Sequence, residues 1–564
     1  MGNGGPSGLR LRLCLVLSAL MGLSILPPLP ASGVGIVSSR HNLSAGGPGS
    51  VKAGTETEIC IFCHTPHYGA SVAPLWNRYS SGATYIPYGS STAISRPGQP
   101  TGASKLCLSC HDGTVALGSI RSRGAPIPMQ GGIGVIPPGA TRLGTDLSDD
   151  HPVSFTYDAG LAAANGQLYN PSTLTGRVRL DENGELQCTS CHDPHNDQYG
   201  KFRVMSNSAS ALCTTCHNKT YWSAGIHKTA SGGHGGSTWN GQPPDPWPHT
   251  EETTIVGNGC ENCHTPHNAG TGQRLLNFPG NEQNCYSCHN GNVVLRNIQA
   301  EFNKVSVHPV STTSGLHDPS EDLVNPPRHV TCVDCHNPHA ARINHCTDCH
   351  VPAHGIESIT ASGLLKGVRG VNASGTAVDP ITYQYELCFR CHADSVNRGP
   401  ARVPRQFVQT NTRLAFATSN ASYHPVITTG KNPVVPSLIS PYTTAAQITC
   451  TACHSNNRGV GGHVGPGPTG PHGSDYVPLL ERRQELTDFQ GESSAVYALC
   501  YKCHSRTSIL SDVSFTRHNL HVVTRTTACT TCHDPHGVTT VPRLINFNTT
   551  YVTASSGGQL RFDA

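Results

Sequence analysis

One apolar run stands apart from the rest of the chain: LCLVLSALMGLSIL, residues 13–26. Arg10 and Arg12 precede it, Pro27 and Pro28 break it, and Ala31, Ser32 and Gly33 follow. That order of basic, apolar and small residues predicts a secretory signal over residues 1–33. The alternative is a membrane anchor, but the run is shorter than the roughly 18 residues a spanning helix needs. No later stretch is apolar enough to span, so the chain is not expected to be an integral membrane protein. Elsewhere the predicted elements are brief. SASALCTTCH (208–217) and ESSAVYALCYKCH (492–504) read as short helices, the second capped by Ser493 or Ser494. VPRLINFNTTYVTASSGGQLRF (541–562) reads as a β-hairpin turning at Ser-Gly-Gly. Residues 355–385 and 395–447 are connections rich in Gly, Pro, Ser and Thr. The expected fold is mostly irregular coil with short α-helices and few β-hairpins, without a sheet-based core.

Composition sharpens this picture. Gly (60) and Pro (42) are abundant among 564 residues, aromatic residues are 6% and charged residues 13%, the last about half the usual share of roughly 25%. Something other than a large aliphatic core must hold the chain together. The formal charge of +3 and the lack of a Lys/Arg run give no footing for nucleic acid.

The cysteines supply the missing element. Of 25, one (Cys14) lies in the apolar run and the other 24 form twelve C-x-x-C pairs. These are Cys60 and Cys63, Cys107 and Cys110, Cys188 and Cys191, Cys213 and Cys216, Cys260 and Cys263, and Cys285 and Cys288. The others are Cys332 and Cys335, Cys346 and Cys349, Cys388 and Cys391, Cys450 and Cys453, Cys500 and Cys503, and Cys529 and Cys532. Every pair is followed at once by histidine: His64, His111, His192, His217, His264, His289, His336, His350, His392, His454, His504 and His533. A disulfide framework or zinc knuckles would leave that histidine unexplained. C-x-x-C-H is the attachment signature of c-type haem, two thiols for the porphyrin and an imidazole for the iron. The expectation is twelve covalently bound haems c, packed together as the core.

Each iron takes a second axial ligand or stays open. Past the apolar run only Met129 and Met205 are available, whereas 20 histidines lie outside the motifs, so bis-histidine ligation at low potential is expected. The pattern CHxPH recurs at His67, His195, His267, His339 and His536, with CHVPAH at His354. The second histidine of CHxPH cannot reach the far face of its own haem, and the proline turns it toward a different one. His151, His308 and His424 share the sequence His-Pro-Val, whose extended backbone suits a ligand reaching in from a loop. His41, His472 and one of His518 and His521, with His521 preferred, complete the set. Between Cys213 and Cys260 the choice lies among His227, His234 and His249, with His227 favoured. His317, His329, His345 and His463 read as surface residues or propionate partners.

Motif starts alternate by 25 and 47 residues from Cys188 to Cys332, a 72-residue internal repeat with an additional motif inserted at 346–354. The expected modules are 34–180 with two haems, 181–355 with six and 356–564 with four.

These residues resemble the doubled-CxxCH multihaem cytochromes of the c3-like class, particularly those exported by metal-reducing bacteria. The likeness rests on CIFCHTPH, PLWNR and SKLCLSCHDGTVALG near the start, and on GCENCHTPHNAG in the middle. YHPV, GPHGS, YALCYKCHSR, CHDPHG and LINF carry it through the last third. It implies electron transport in the periplasm, at the outer membrane or outside the cell. Other cytochromes, an outer-membrane porin and metal oxides are the implied partners and acceptors. The chain departs from the family in lacking a lipid-attachment site and in the close spacing of the motifs at 332 and 346. A haem closed on both faces can only pass electrons, so an electron-transfer protein rather than an enzyme is expected. A reductase with one open haem and a subunit of a haem-lined filament are the alternatives. Propionates on twelve haems would add up to about −24 in charge, so the loaded protein is expected to be acidic and to favour basic partners.

Overall fold

The computed structural model describes residues 35–70, 75–229, 237–294, 296–310, 317–342, 359–361, 363–457, 470–554 and 560. The apolar run at 13–26 and the motif at 346–350 lie outside the described residues, as do His234, His345, His354 and His463.

Among the described residues, eleven of the 25 short helical elements hold a motif. In eight of the described motifs the backbone N–H of the histidine donates to the carbonyl of the first cysteine, at 2.8–3.1 Å. That bond closes one turn and sets two thiols three residues apart on one side. The histidine then leaves in extended backbone, as at His192 (ψ 135°) and His336 (ψ 136°). Three other motifs form the C-terminal ends of Gly102–His111, Asn281–His289 and Gln384–His392.

Two expected helices are not regular. Within 208–217, Ala209 is left-handed (φ 53°) and separates a 3-10 turn at Ser208–Ser210 from the turn Cys213–Cys216. Ser210 has been recruited elsewhere: its hydroxyl donates to Asn258 O and accepts from Cys260 N. Within 492–504, Ser493 Oγ accepts from Val496 N at 3.2 Å as a cap would, yet only Cys500–Lys502 is helical, as a 3-10 turn. The carbonyl of Val496 and the N–H of Leu499 are taken instead by Glu485 and Arg483 of a neighbouring segment.

The C-terminal hairpin is also corrected. Residues 541–554 contain no strand, because their polar groups bind elsewhere: Asn546 N to Cys532 O, Asn548 N to Thr531 O, and Asn546 Nδ2 to Phe407 O. The Ser-Gly-Gly turn lies outside the described residues. Among those described, four two-stranded antiparallel ladders occur. Only Gly370–Val371 with Ala377–Val378 is a hairpin; the rest join distant segments, such as Ser422–Tyr423 with Gly537–Val538.

Apolar burial is scattered. The largest cluster gathers Leu323, Val371, Tyr385, Phe389, Ala393, Phe416, Tyr423 and Val426. Buried polar side chains connect the loops. Arg78, 1% exposed, donates to Ser109 Oγ and to the carbonyls of Ser109, Ala116 and Leu117. A charge taken out of water needs such complete satisfaction.

Candidate cofactor sites

Among the described residues, ten motif imidazoles are faced by a second imidazole from elsewhere in the chain. His111 faces His41 with ring centres 6.2 Å apart, His64 faces His195 at 6.0 Å, and His217 faces His151 at 6.2 Å. His192 faces His267 at 6.1 Å, His289 faces His227 at 6.5 Å, and His264 faces His339 at 6.3 Å. His392 faces His308 at 6.2 Å, His336 faces His472 at 6.0 Å, His454 faces His536 at 6.3 Å, and His533 faces His518 at 6.4 Å. His504 has His424 as its electrostatic neighbour. Metal–imidazole bonds of about 2 Å on opposite sides of one ion put ring centres roughly 6 Å apart, so the spacing fits two axial ligands of one iron.

Backbone carbonyls orient both partners of these pairs. Nδ1 of His111, His192, His264, His336, His454 and His533 lies 2.7–3.1 Å from the carbonyls of Thr141, Lys201, Arg274, Leu364, Pro478 and Arg543. A carbonyl only accepts, so Nδ1 carries the proton and Nε2 keeps its lone pair for a metal. Lys201, Arg274 and Arg543 present their carbonyls from left-handed backbone (φ 52°, 61° and 59°), a conformation that non-glycine residues adopt only under local constraint.

The facing histidines use another device. Nδ1 of His41, His227 and His308 donates to the carbonyls of Pro194, Pro338 and Pro471 at 3.1, 3.0 and 2.7 Å. His424 does the same to Pro535, and the backbone N–H of His151 reaches Pro266 O at 2.7 Å. Each of these prolines precedes a histidine that faces another motif: His195, His339, His472, His536 and His267. One Pro-His dipeptide therefore orients imidazoles toward two different motif histidines. In three CHxPH turns the residue before proline caps the second histidine: Asp193, Asn337 and Asp534 accept its N–H at 3.0–3.2 Å.

Burial suits neutral imidazole. Burial, followed by the facing His227, pushes His289 down to about 4, and burial with His308 does the same to His392. A buried pair with no anion between its rings disfavours protonation and leaves lone pairs free.

Consecutive motifs are neighbours. The thiols of Cys107 and Cys188, Cys213 and Cys260, Cys285 and Cys332, Cys388 and Cys450, and Cys500 and Cys529 are close electrostatic neighbours. Between these couples, burial and then Cys110 push Cys63 up to about 12, and burial and then Cys216 act likewise on Cys191. Cys263 adjoins Cys288, Cys335 adjoins Cys391, and Cys500 adjoins Cys453. The side chain three residues before the earlier motif fastens three of the couples. Ser104 Oγ, Ser210 Oγ and Glu282 Oε1 accept the N–H of Cys188, Cys260 and Cys332 at 3.0, 2.6 and 3.3 Å.

Some expected positions fall differently. His518, not His521, faces His533; His521 stacks on Phe515 with ring centres 6.2 Å apart. His67 is exposed and faces no motif imidazole among the described residues. His317 and His329, expected as surface residues or propionate partners, are not at the surface: their side chains are only 11% and 14% exposed. His249 is part-buried, and its Nε2 makes no hydrogen bond among the described residues. Cys346, Cys349, His350 and His354 lie outside those residues. The proline-carbonyl device escaped sequence reading, although the recurrence of Pro-His in GPHGS carried its signal.

Residues 182–221 and 254–293 match the family model for the doubled CXXCH motif. The chain is also 31% identical over 109 residues to the multiheme cytochrome MtrA of Shewanella baltica (strain OS185), an alignment covering 19% of this chain and 25% of that protein. The chain thus spans about a quarter of the length of that curated relative. Among the described residues no helix is long and apolar enough to cross a membrane.

Proposed function

We propose that this chain, a multihaem c-type cytochrome with doubled CXXCH motifs, is an electron conduit of the cell envelope carrying twelve haems. One observation carries the reading: ten motif imidazoles are each faced at 6.0–6.5 Å by a second imidazole. Haem iron held by two imidazoles supplies one-electron transfer at low potential and offers no position for substrate. The chain's own part is to attach, orient and space these centres and to keep competing reactions away from them. The succession of neighbouring motifs gives a path in sequence order from Cys60 to Cys335, on to Cys391 and to Cys529. Residues 34–180, 181–355 and 356–564 are then successive stretches of one line.

Similarity to the Shewanella multiheme cytochrome supports a place in electron transport. Respiration with an acceptor in the periplasm or outside the cell, metal oxides included, accords with it. The signal-like residues 1–33 support export. Carbon monoxide added to the fully reduced protein tests the reading. Unchanged spectra at every haem are expected, and a shift equivalent to one haem would instead support a reductase with one open iron.

A further inference from the structure

Four side chains converge beside the helical turn of the motif at Cys332, and none belongs to the imidazole pairs above. His317, Glu321, His329 and Asp334 each offer a donor atom, all within 4.8 Å of one another. His317 Nδ1 is 2.9 Å from Asp334 Oδ1 and 3.4 Å from Glu321 Oε1. His329 Nε2 is 3.3 Å from Glu321 Oε2 and 3.4 Å from Asp334 Oδ1. The side chains are 4–14% exposed. Despite these distances, neither nitrogen makes a hydrogen bond among the described residues. The donor atoms are close together without pointing at one another.

That arrangement is what a metal ion requires. Donors about 2.0–2.1 Å from a tetrahedral ion lie roughly 3.3 Å from each other, close to the separations found. The rings of His317 and His329 have centres 5.9 Å apart and planes at 54°, compatible with two ligands on one ion. We propose that His317, Glu321, His329 and Asp334 bind one divalent transition-metal ion that is not haem iron. Two imidazole nitrogens disfavour calcium and magnesium, which prefer all-oxygen shells, and favour zinc or a neighbouring first-row ion.

The surroundings divide the labour of the carboxylates. Asp334 Oδ2 accepts from Thr331 N at 2.7 Å and Thr331 Oγ1 at 3.0 Å, capping the motif turn, while Oδ1 faces the cluster. Arg390, from the helix of the Cys388 motif, donates to Glu321, to Asp334 Oδ1 at 2.8 Å and to Asp334 O at 3.1 Å. Two carboxylates, one guanidinium and a divalent ion sum to +1, and so would the same cluster with both imidazoles protonated and no metal. Metal content separates those two cases. An ion here would tie the 317–329 segment to the turn Cys332–Cys335 and, through Arg390, to Gln384–His392. It would brace the junction where the motifs at 332 and 388 meet.

The test uses the haem-loaded protein, incubated with excess zinc, dialysed and analysed for metals. About one zinc per twelve haem irons is expected, with a zinc-edge absorption spectrum showing only nitrogen and oxygen donors at about 2.0 Å. His317→Ala and the milder His329→Gln should each lower retained zinc at least tenfold while haem content stays constant. His67→Ala, which alters an exposed histidine, should retain it. No retained zinc in the parent protein would overturn the proposal. So would equal retention in the His317 and His329 variants, or sulfur donors in the spectrum.

Discussion

The repeat from Cys188 to His339 and the stretch from Cys388 to Asn548 solve one problem with different spacing. In the first, motif starts follow intervals of 25 and 47 residues; in the second they follow 62, 50 and 29. The local unit is nonetheless the same. Arg274 O and Arg543 O, both on left-handed residues, hold His264 and His533 at 2.8 and 3.0 Å. Asn277 N and Asn546 N close back on Cys263 O and Cys532 O at 2.9 and 2.8 Å. Pro338 and Pro535 orient His227 and His424, while His339 and His536 face His264 and His454. What is preserved is the set of hydrogen bonds around each Pro-His dipeptide, and the chain between units varies. Lengthening a loop twofold costs only about 0.6 kcal/mol, so spacing is the cheaper thing to change.

The fastenings differ. The repeat joins neighbouring motifs through Ser210, which accepts Cys260 N at 2.6 Å. The later stretch brings in a separate segment, whose Asp488 accepts Ala528 N at 2.9 Å and the hydroxyl of Thr531.

Removing a facing imidazole should have the largest effect, and the same one in both regions. His267→Ala and His536→Ala should each open one iron, so that carbon monoxide shifts the Soret band by about one-twelfth of its amplitude. A response in only one of them would break the equivalence. The fastenings come next. Asp488→Ala strips a charged acceptor from two donors and should lower stability by about 2–3 kcal/mol, against about 1–2 kcal/mol for Ser210→Ala. Urea unfolding midpoints followed by tryptophan fluorescence check the order.

Relieving left-handed backbone should act more weakly. Arg543→Gly removes a strain of about 1–2 kcal/mol, and glycine's greater freedom in the unfolded chain offsets roughly 0.5–1 kcal/mol of that. A small stabilisation is expected. Lys201→Gly should gain less, because Lys201 also donates to His249 O at 2.7 Å. His67→Ala should change neither spectrum nor stability, in contrast to His195→Ala in an otherwise similar CHxPH turn.

The chemistry of this chain is written locally and its assembly is not. Cysteine and histidine spacing identifies the motifs without any structure, and Pro-His or His-Pro marks seven of the ten imidazoles that the fold brings opposite a motif histidine, but not His41, His227 or His518. Which imidazole meets which depends, in nine of the ten pairs, on contacts across 62 to 136 residues, as between His64 and His195, and periodicity does not carry that information. His518 and His521 sit three residues apart, so spacing could not choose between them. The helix expected at 492–504 failed for a similar reason, because Arg483 and Glu485 claim its backbone groups from outside the window. His317 and His329 have no motif around them, and only the fold shows that they share two carboxylates.

Diffraction from crystals of the haem-loaded protein, with anomalous signal collected at the iron edge, tests the central claim most directly. The account predicts an iron midway between each of the ten facing imidazole pairs, in the order His64, His111, His192, His217, His264, His289, His336, His392, His454 and His533. Irons displaced from those gaps, or bound to one imidazole alone, would contradict it.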